Sequence, residues 1–268
     1  MSFVLRSMLA ALAIVVLSAA APAPVQLLSH RATYEVSLER TSPGAVVSVR
    51  GRTITEFRDA CTGWSTTQRF VADMADANAD ITRSDFSIQL WESKDGRTMT
   101  FDATNVVNNK VDEREKGKAT LSAAGGEVII TAGKRKRFLL PAETLFPTPQ
   151  NLDIIKAAQS GASTARRSVF QGGSEDQLYL ALATIGRAAS PAQTADERRV
   201  DRQDLLKNVP AYPVLVSFFP QSGDTDAPDY EVASRLYANG VIGTMSLIYP
   251  KFTMKARLVK LEKLPSCR

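Results

Sequence analysis

The sequence predicts a mainly β fold, an antiparallel sheet of many strands interrupted by one short helix. Three observations predict it. Apolar and polar residues alternate with a period of two through successive segments, Asp95-Gly96 and Asn239-Gly240 supply hairpin turns, and only the stretch near 149–160 shows clear helical spacing.

The chain begins with Met1, a single basic residue at Arg6, the apolar run Met8 to Leu17, and the small residues Ser18 to Ala21. This is the three-part plan of a secretory signal, cut after Ala20 or Ala21. Its strongly apolar part falls short of the roughly 20 residues that a spanning helix needs. Residues 1–21 are therefore expected to be removed, leaving 22–268 as one exported β domain that does not span a membrane.

In the segment Arg31 to Glu39, Ala32, Tyr34, Val36 and Leu38 occupy one face and charged or hydroxyl residues the other, the pattern of a half-buried strand. Val47 to Phe57, Trp64 to Val71, Asp85 to Trp91 and Thr98 to Phe101 continue it. Further strands are expected at Val106 to Glu113, Ala119 to Ser122, Glu127 to Thr131 and Arg135 to Leu140, together forming a meander. The helix is marked by Thr148 as N-cap, Pro149 at its first position, Leu152, Ile155 and Ala158 on one face, and Gly161 beyond its end.

Strands resume at Ala165 to Phe170 and at Gln177 to Ile185, where apolar residues on both parities predict burial on both faces. The stretch 188–208 turns to Ala, Asp, Glu, Arg and Gln and reads as an exposed, mobile, charged insertion. The last strands are expected at Val214 to Phe219, Tyr230 to Tyr237, Gly243 to Tyr249 and from Lys251 onward. In this final strand the parity of Phe252, Met254, Ala256 and Leu258 gives way to that of Val259 and Leu261, which predicts a β-bulge near Leu258.

A formal charge of +5 and an aromatic content of 7% argue against a nucleic-acid partner. The basic run Lys134 to Arg137 reads as a solvated strand edge. Cys61 and Cys267 are the two cysteines of an exported chain, which predicts one disulfide between them that fastens the last strand to the beginning of the sheet. No C-x-x-C pair suggests thiol exchange.

His30 is the single histidine, so two-histidine metal motifs do not arise, and its place before a strand favours a structural hydrogen bond. The patterns G-x-S-x-G, G-x-G-x-x-G and G-x-x-x-x-G-K are missing, and no cofactor, metal or catalytic residue is expected. Glu35, Glu39, Glu56 and Glu231 lie on expected strands, where a cell-wall glycan-acting enzyme would set an acid and a base. Tyr34, Trp64, Trp91, Phe101, Phe218 and Tyr230, with Phe70 and Phe86, are candidates to line an apolar cavity inside a curved sheet, the alternative being that they fill a core.

His30-Arg31-Ala32-x-Tyr34-x-x-Ser37-Leu38, Gly51-Arg52, Phe57 leading to Cys61, and the hairpin from Trp91 to Gly96 stand in a characteristic order. Leu140-Pro141-Ala142, Leu145-Phe146-Pro147-Thr148, Ile185-Gly186, Tyr237-x-Asn239-Gly240, Tyr249-x-x-Phe252 and Leu264-Pro265-x-Cys267 follow. From about Val25 to Cys267 this sequence resembles the alphaproteobacterial cell envelope integrity EipB family. It departs from the family's usual pattern at Glu143, at Gly172-Gly173 and from Asp196 to Asp204. The resemblance implies a periplasmic protein with a long, curled, barrel-like sheet called a β-spiral, a bridge between the two cysteines, a role in envelope integrity and no catalytic residue. On these grounds the chain is expected to be a non-enzymatic scaffold or binding module for a lipid, a lipoprotein or a protein partner.

Overall fold

A computed structural model describes residues 25–44, 46–133, 136–190, 192–221 and 226–267. The expected signal at 1–21 lies outside these residues, as do Lys134 and Arg135 of the basic run. The first half of the chain forms β1 (His30–Thr41), β2 (Ser48–Asp59), β3 (Gly63–Ala75), β4 (Ile81–Ser93), β5 (Thr98–Val107), β6 (Lys110–Ser122), β7 (Gly125–Ala132) and β8 (Arg137–Leu140). After α1 (Pro147–Gln159) come β9 (Thr164–Phe170), β10 (Leu178–Ile185), β11 (Ala211–Pro220), β12 (Tyr230–Tyr237), β13 (Ile242–Ile248) and β14 (Phe252–Lys263). Among the described residues no helix is long and apolar enough to cross a membrane.

All 14 strands belong to one antiparallel sheet in the order β8-β7-β6-β5-β4-β3-β2-β1-β14-β13-β12-β11-β10-β9. The two edges, β8 and β9, are consecutive in the chain, and the first and last strands pair in the middle. The sheet is therefore a nearly closed barrel with its seam between β8 and β9. The connecting segment occupies that seam. Leu145 donates its N–H to Ser168 (2.8 Å) and accepts from Phe170 (3.0 Å), covering part of the β9 edge.

One hairpin differs from the sequence reading. The expected strand Val106 to Glu113 is instead the end of β5, a turn at Asn108-Asn109 and the start of β6, which then runs unbroken through Ala119 to Ser122. Both asparagines have positive φ (49° and 65°), a backbone that asparagine tolerates and that the two-residue hairpin turn requires. The bulge in β14 is present: Thr33 pairs with Lys260 and Tyr34 with Leu258, leaving Val259 as the extra residue.

The helix also differs at its start. Phe146, not Thr148, is the N-cap, and it makes no side-chain cap. Thr148 lies inside the first turn, buried. Ile154 and Ile155 pack with Val169, Tyr179 and Ala181, each isoleucine stabilising by about 1.5–3 kcal/mol. A second cluster joins Met99, Phe101, Phe138 and Phe170, whose rings meet edge-on at 5.7–5.8 Å. Gly117 sits opposite Phe101, and a side chain there would lie 2.5 Å from that ring. The third cluster centres on Tyr34, Val36, Tyr237, Leu258 and Leu261.

Strand β10 is buried along one face, and on the other only at Leu178. Tyr179, Ala181, Ala183 and Ile185 point inward, Leu180 and Leu182 are half-exposed and Thr184 is exposed. The outer face carries no covering layer at these positions, which apolar composition alone does not reveal.

The stretch 188–208, expected as an exposed insertion, is exposed at many positions and anchored inward at a few. Val200 and Leu206 are buried in the third cluster, and the fully buried Glu197 carboxylate accepts hydrogen bonds from the Thr194 and Thr244 N–H groups (2.8 and 3.0 Å) and the Tyr237 hydroxyl (2.9 Å). Arg235 lies 3.7 Å away. Of the other charged residues in 188–208, Arg198, Arg199, Asp201, Arg202, Asp204 and Lys207 are exposed and Asp196 is half-buried.

Cys61, in the β2–β3 turn, is joined to Cys267 with their Cα atoms 5.1 Å apart. The Cys267 N–H also donates to the Asp59 carbonyl (3.2 Å), so backbone and sulfur fix the same point. A cross-link across 206 residues stabilises by about 5 kcal/mol in the chain-entropy model.

Candidate functional site

The curl of the sheet encloses a cavity of about 420 Å³. Inward residues of β1 to β4 form one wall, those of β11 to β13 the other, and the first turn of α1 and the loop from β9 to β10 complete it. Its apolar surface comes from Phe57, Phe86, Ile88, Leu90, Val232 and Met245 among others. Among the described residues, no Asp, Glu, Lys or Arg lines it.

Of the aromatic candidates, Tyr34, Phe218, Tyr230 and Phe86 line this cavity; Trp64, Trp91, Phe101 and Phe70 do not. Each exception has a physical reason. Trp91 falls between the inward Leu90 and Glu92, so strand parity turns it to the outer face. Phe101 is spent in the core against Phe170 and Gly117. Trp64 lies at the start of β3 under the Lys94 ammonium, 4.6 Å from its ring. Phe70 packs against the third cluster.

Tyr34 donates its hydroxyl to the Ile242 carbonyl (2.7 Å), tying β1 to β13 across the intervening β14. Burial, and secondarily the Glu197 charge, push its hydroxyl pKa well up, so it stays neutral. Phe218 and Tyr230 stack with centroids 4.6 Å apart, and Tyr179 meets both edge-on at 5.6–5.7 Å. Burial raises Tyr230 as well.

His30 lines the cavity, but its Nδ1 bonds the Leu28 carbonyl (2.7 Å). Burial lowers its pKa, and Nδ1 carries the proton in the neutral ring. The structure thus gives it the hydrogen-bonded place that its position suggested.

The four carboxylates considered for glycan chemistry stand opposite the inward residues Tyr34, Thr55 and Tyr230 or on the exposed end of β1, and none lines the cavity. Glu35 pairs with Arg257, Glu56 with Arg31 and Arg58, Glu39 accepts from Ser246 and Glu231 from Ser217. Beside the cavity wall, the sequence reading missed the buried carboxyl of Glu92, which is bonded twice to Thr148. Its signal is faint: one acidic residue at an inward parity position of a strand. Among the described residues no group of three or more His, Cys, Asp or Glu side chains could hold a metal.

Residues 21–265 match the model of the EipB-like family. The cell envelope integrity protein EipB of Brucella abortus is 29% identical over 251 residues, which cover 91% of this chain and 87% of that protein. The crystal structure of a beta-barrel-like protein of a domain of unknown function from the same organism is similar with a TM-score of 0.81 at 25% identity, over 90% of this chain and 100% of that one.

Proposed function

The chain belongs to the EipB-like family, and from that premise we propose that it is a non-enzymatic periplasmic protein that serves cell envelope integrity by holding a lipid or a lipoprotein acyl chain inside its curled sheet. The observation that carries this reading is the uncharged cavity of about 420 Å³, whose walls are mainly aromatic and aliphatic. A ligand pocket of this kind typically measures about 300–1,000 Å³ and combines apolar walls with a few polar groups. The export signal read at 1–21 supports the periplasm, and the name of the Brucella protein supports the envelope role.

Reading the protein as a glycan-acting enzyme has less behind it. Its four strand carboxylates are each engaged by a cation or a hydroxyl and lie outside the cavity. A cleft for glycoside hydrolysis needs two carboxyl groups facing one another across the substrate, about 5–10 Å apart.

Native mass spectrometry of the mature protein, purified from periplasm without detergent, tests the proposal. A bound mass that organic solvent extracts is the expected result. An unliganded mass in every preparation overturns it.

A further inference from the structure

Resting on the lipid-holding reading above, we infer that the ligand is an electrically neutral, single-chain amphiphile whose head carries ester, amide or hydroxyl groups, and that cavity-lining side-chain amides read that head. Gln68 on β3, Asn151 on α1, and Gln171 and Gln177 flanking the turn before β10 all line the cavity. Among the described residues, none of these four amides forms a side-chain hydrogen bond to another protein group, and neither do the hydroxyls of Thr55 and Thr66 beside them.

The four residues are half-buried and none of their amide atoms is sealed from solvent, so water satisfies them until the polar atoms of a ligand's head replace it. An amide offers both a donor and an acceptor, so it suits the oxygens and N–H or O–H groups of an uncharged head. A site built this way discriminates strongly against ligands that leave its polar groups unpaired.

Charge and size narrow the class further. With no carboxylate, ammonium or guanidinium among the described lining residues, a carboxylate, phosphate or ammonium drawn inside would be buried without a charged partner. Among the described lining residues, the side chain that could supply positive charge is His30, whose pKa burial lowers and whose Nδ1 is spent on the Leu28 carbonyl. At about 420 Å³ the cavity stands toward the small end of the roughly 300–1,000 Å³ range of ligand pockets, a size that suits a single acyl chain.

The test uses the full mature chain, stripped of lipid, and three probes with the same chain: monolauroylglycerol, laurate and laurylamine, each below its micellar concentration. Displacement of a fluorescent fatty-ester probe gives the affinities. Monolauroylglycerol is expected to bind at least tenfold more tightly than either charged probe. Gln68→Leu is expected to weaken monolauroylglycerol about tenfold and leave laurate unchanged, with a melting curve like that of the parent. Gln177→Leu provides the second variant should the first fail to fold.

Laurate or laurylamine binding as tightly as the glyceride would overturn neutrality while leaving the lipid-holding reading intact. Glyceride binding that neither variant weakens would overturn the role of the amides. Failure of all three probes to bind would remove both the inference and the reading beneath it.

Discussion

The carboxyl group of Glu92, on β4, accepts hydrogen bonds from both the backbone N–H (2.9 Å) and the hydroxyl (2.6 Å) of Thr148, in the first turn of α1. The helix has no side-chain cap of its own, so the sheet supplies one from 56 positions earlier in the chain. This contact fixes the start of the seam-filling helix against the barrel and so shapes the cavity wall that Thr148 and Asn151 provide.

Burial raises the Glu92 pKa to about 7, against the opposing effect of the two Thr148 bonds. A carboxyl whose folded pKa exceeds its unfolded value binds its proton more tightly when folded. Its stabilising contribution is therefore complete below the unfolded value near 4.5 and is lost as pH rises through about 7. The shift corresponds to roughly 3 kcal/mol. Urea unfolding at pH 5 and pH 8 should show the parent losing roughly that much more stability than Glu92→Gln. Parallel pH profiles for the two would refute the assignment.

Reduction, or Cys267→Ser, is expected to lower stability by up to about 5 kcal/mol and to expose the C-terminal strand to proteolysis. Thermal melts with and without reductant, followed by mass mapping of early protease fragments, check this. Fragments that begin elsewhere would show that β14 is held by its pairing with β1 and β13 alone.

Gly243 gives the buried Glu197 carboxylate its room: a Cβ there would lie 2.0 Å from Oε1. Gly243→Ala should therefore displace Glu197 from its Thr244, Tyr237 and Thr194 bonds and cost about 1–3 kcal/mol. Hydrogen exchange across 192–209 provides the local readout, with faster exchange expected there than in β4 or β5. Exchange rates unchanged in that stretch would mean that it is held by Val200 and Leu206 instead.

Val232→Phe fills part of the cavity from the β12 side. The variant should keep the parent's melting temperature within a few degrees, since it enlarges a side chain into open space, and should lose the extractable bound mass. Retention of the same bound mass would place the ligand elsewhere.

Much of the fold was legible locally. Alternation along His30–Thr41 marked which residues face inward, and the break in alternation after Leu258 disclosed the β14 bulge. The hairpin at Asn108-Asn109 escaped because Val106, Val107 and Val111 continue a strand-like pattern through it. Thr148 followed by Pro149 carries the local signature of a helix start, but the partner that decides its role is Glu92, on another strand. The cavity was half legible: parity could place Tyr34, Phe218 and Tyr230 on faces, yet whether an inward ring meets a neighbour or open space depends on how far the sheet curls.

The sequence by itself determined the strands, most of the turns, the resemblance to the family and the pairing expected of two cysteines, because each depends on neighbours in the chain or on simple counting. Only the tertiary structure decided the seam between β8 and β9, the inward anchoring of 188–208, the burial of Glu92 and the uncharged cavity. The physical reason is distance along the chain. Those features arise where β1 meets β14 and where a helix meets a far strand, and no local pattern encodes the space left between surfaces that meet only after the sheet has closed.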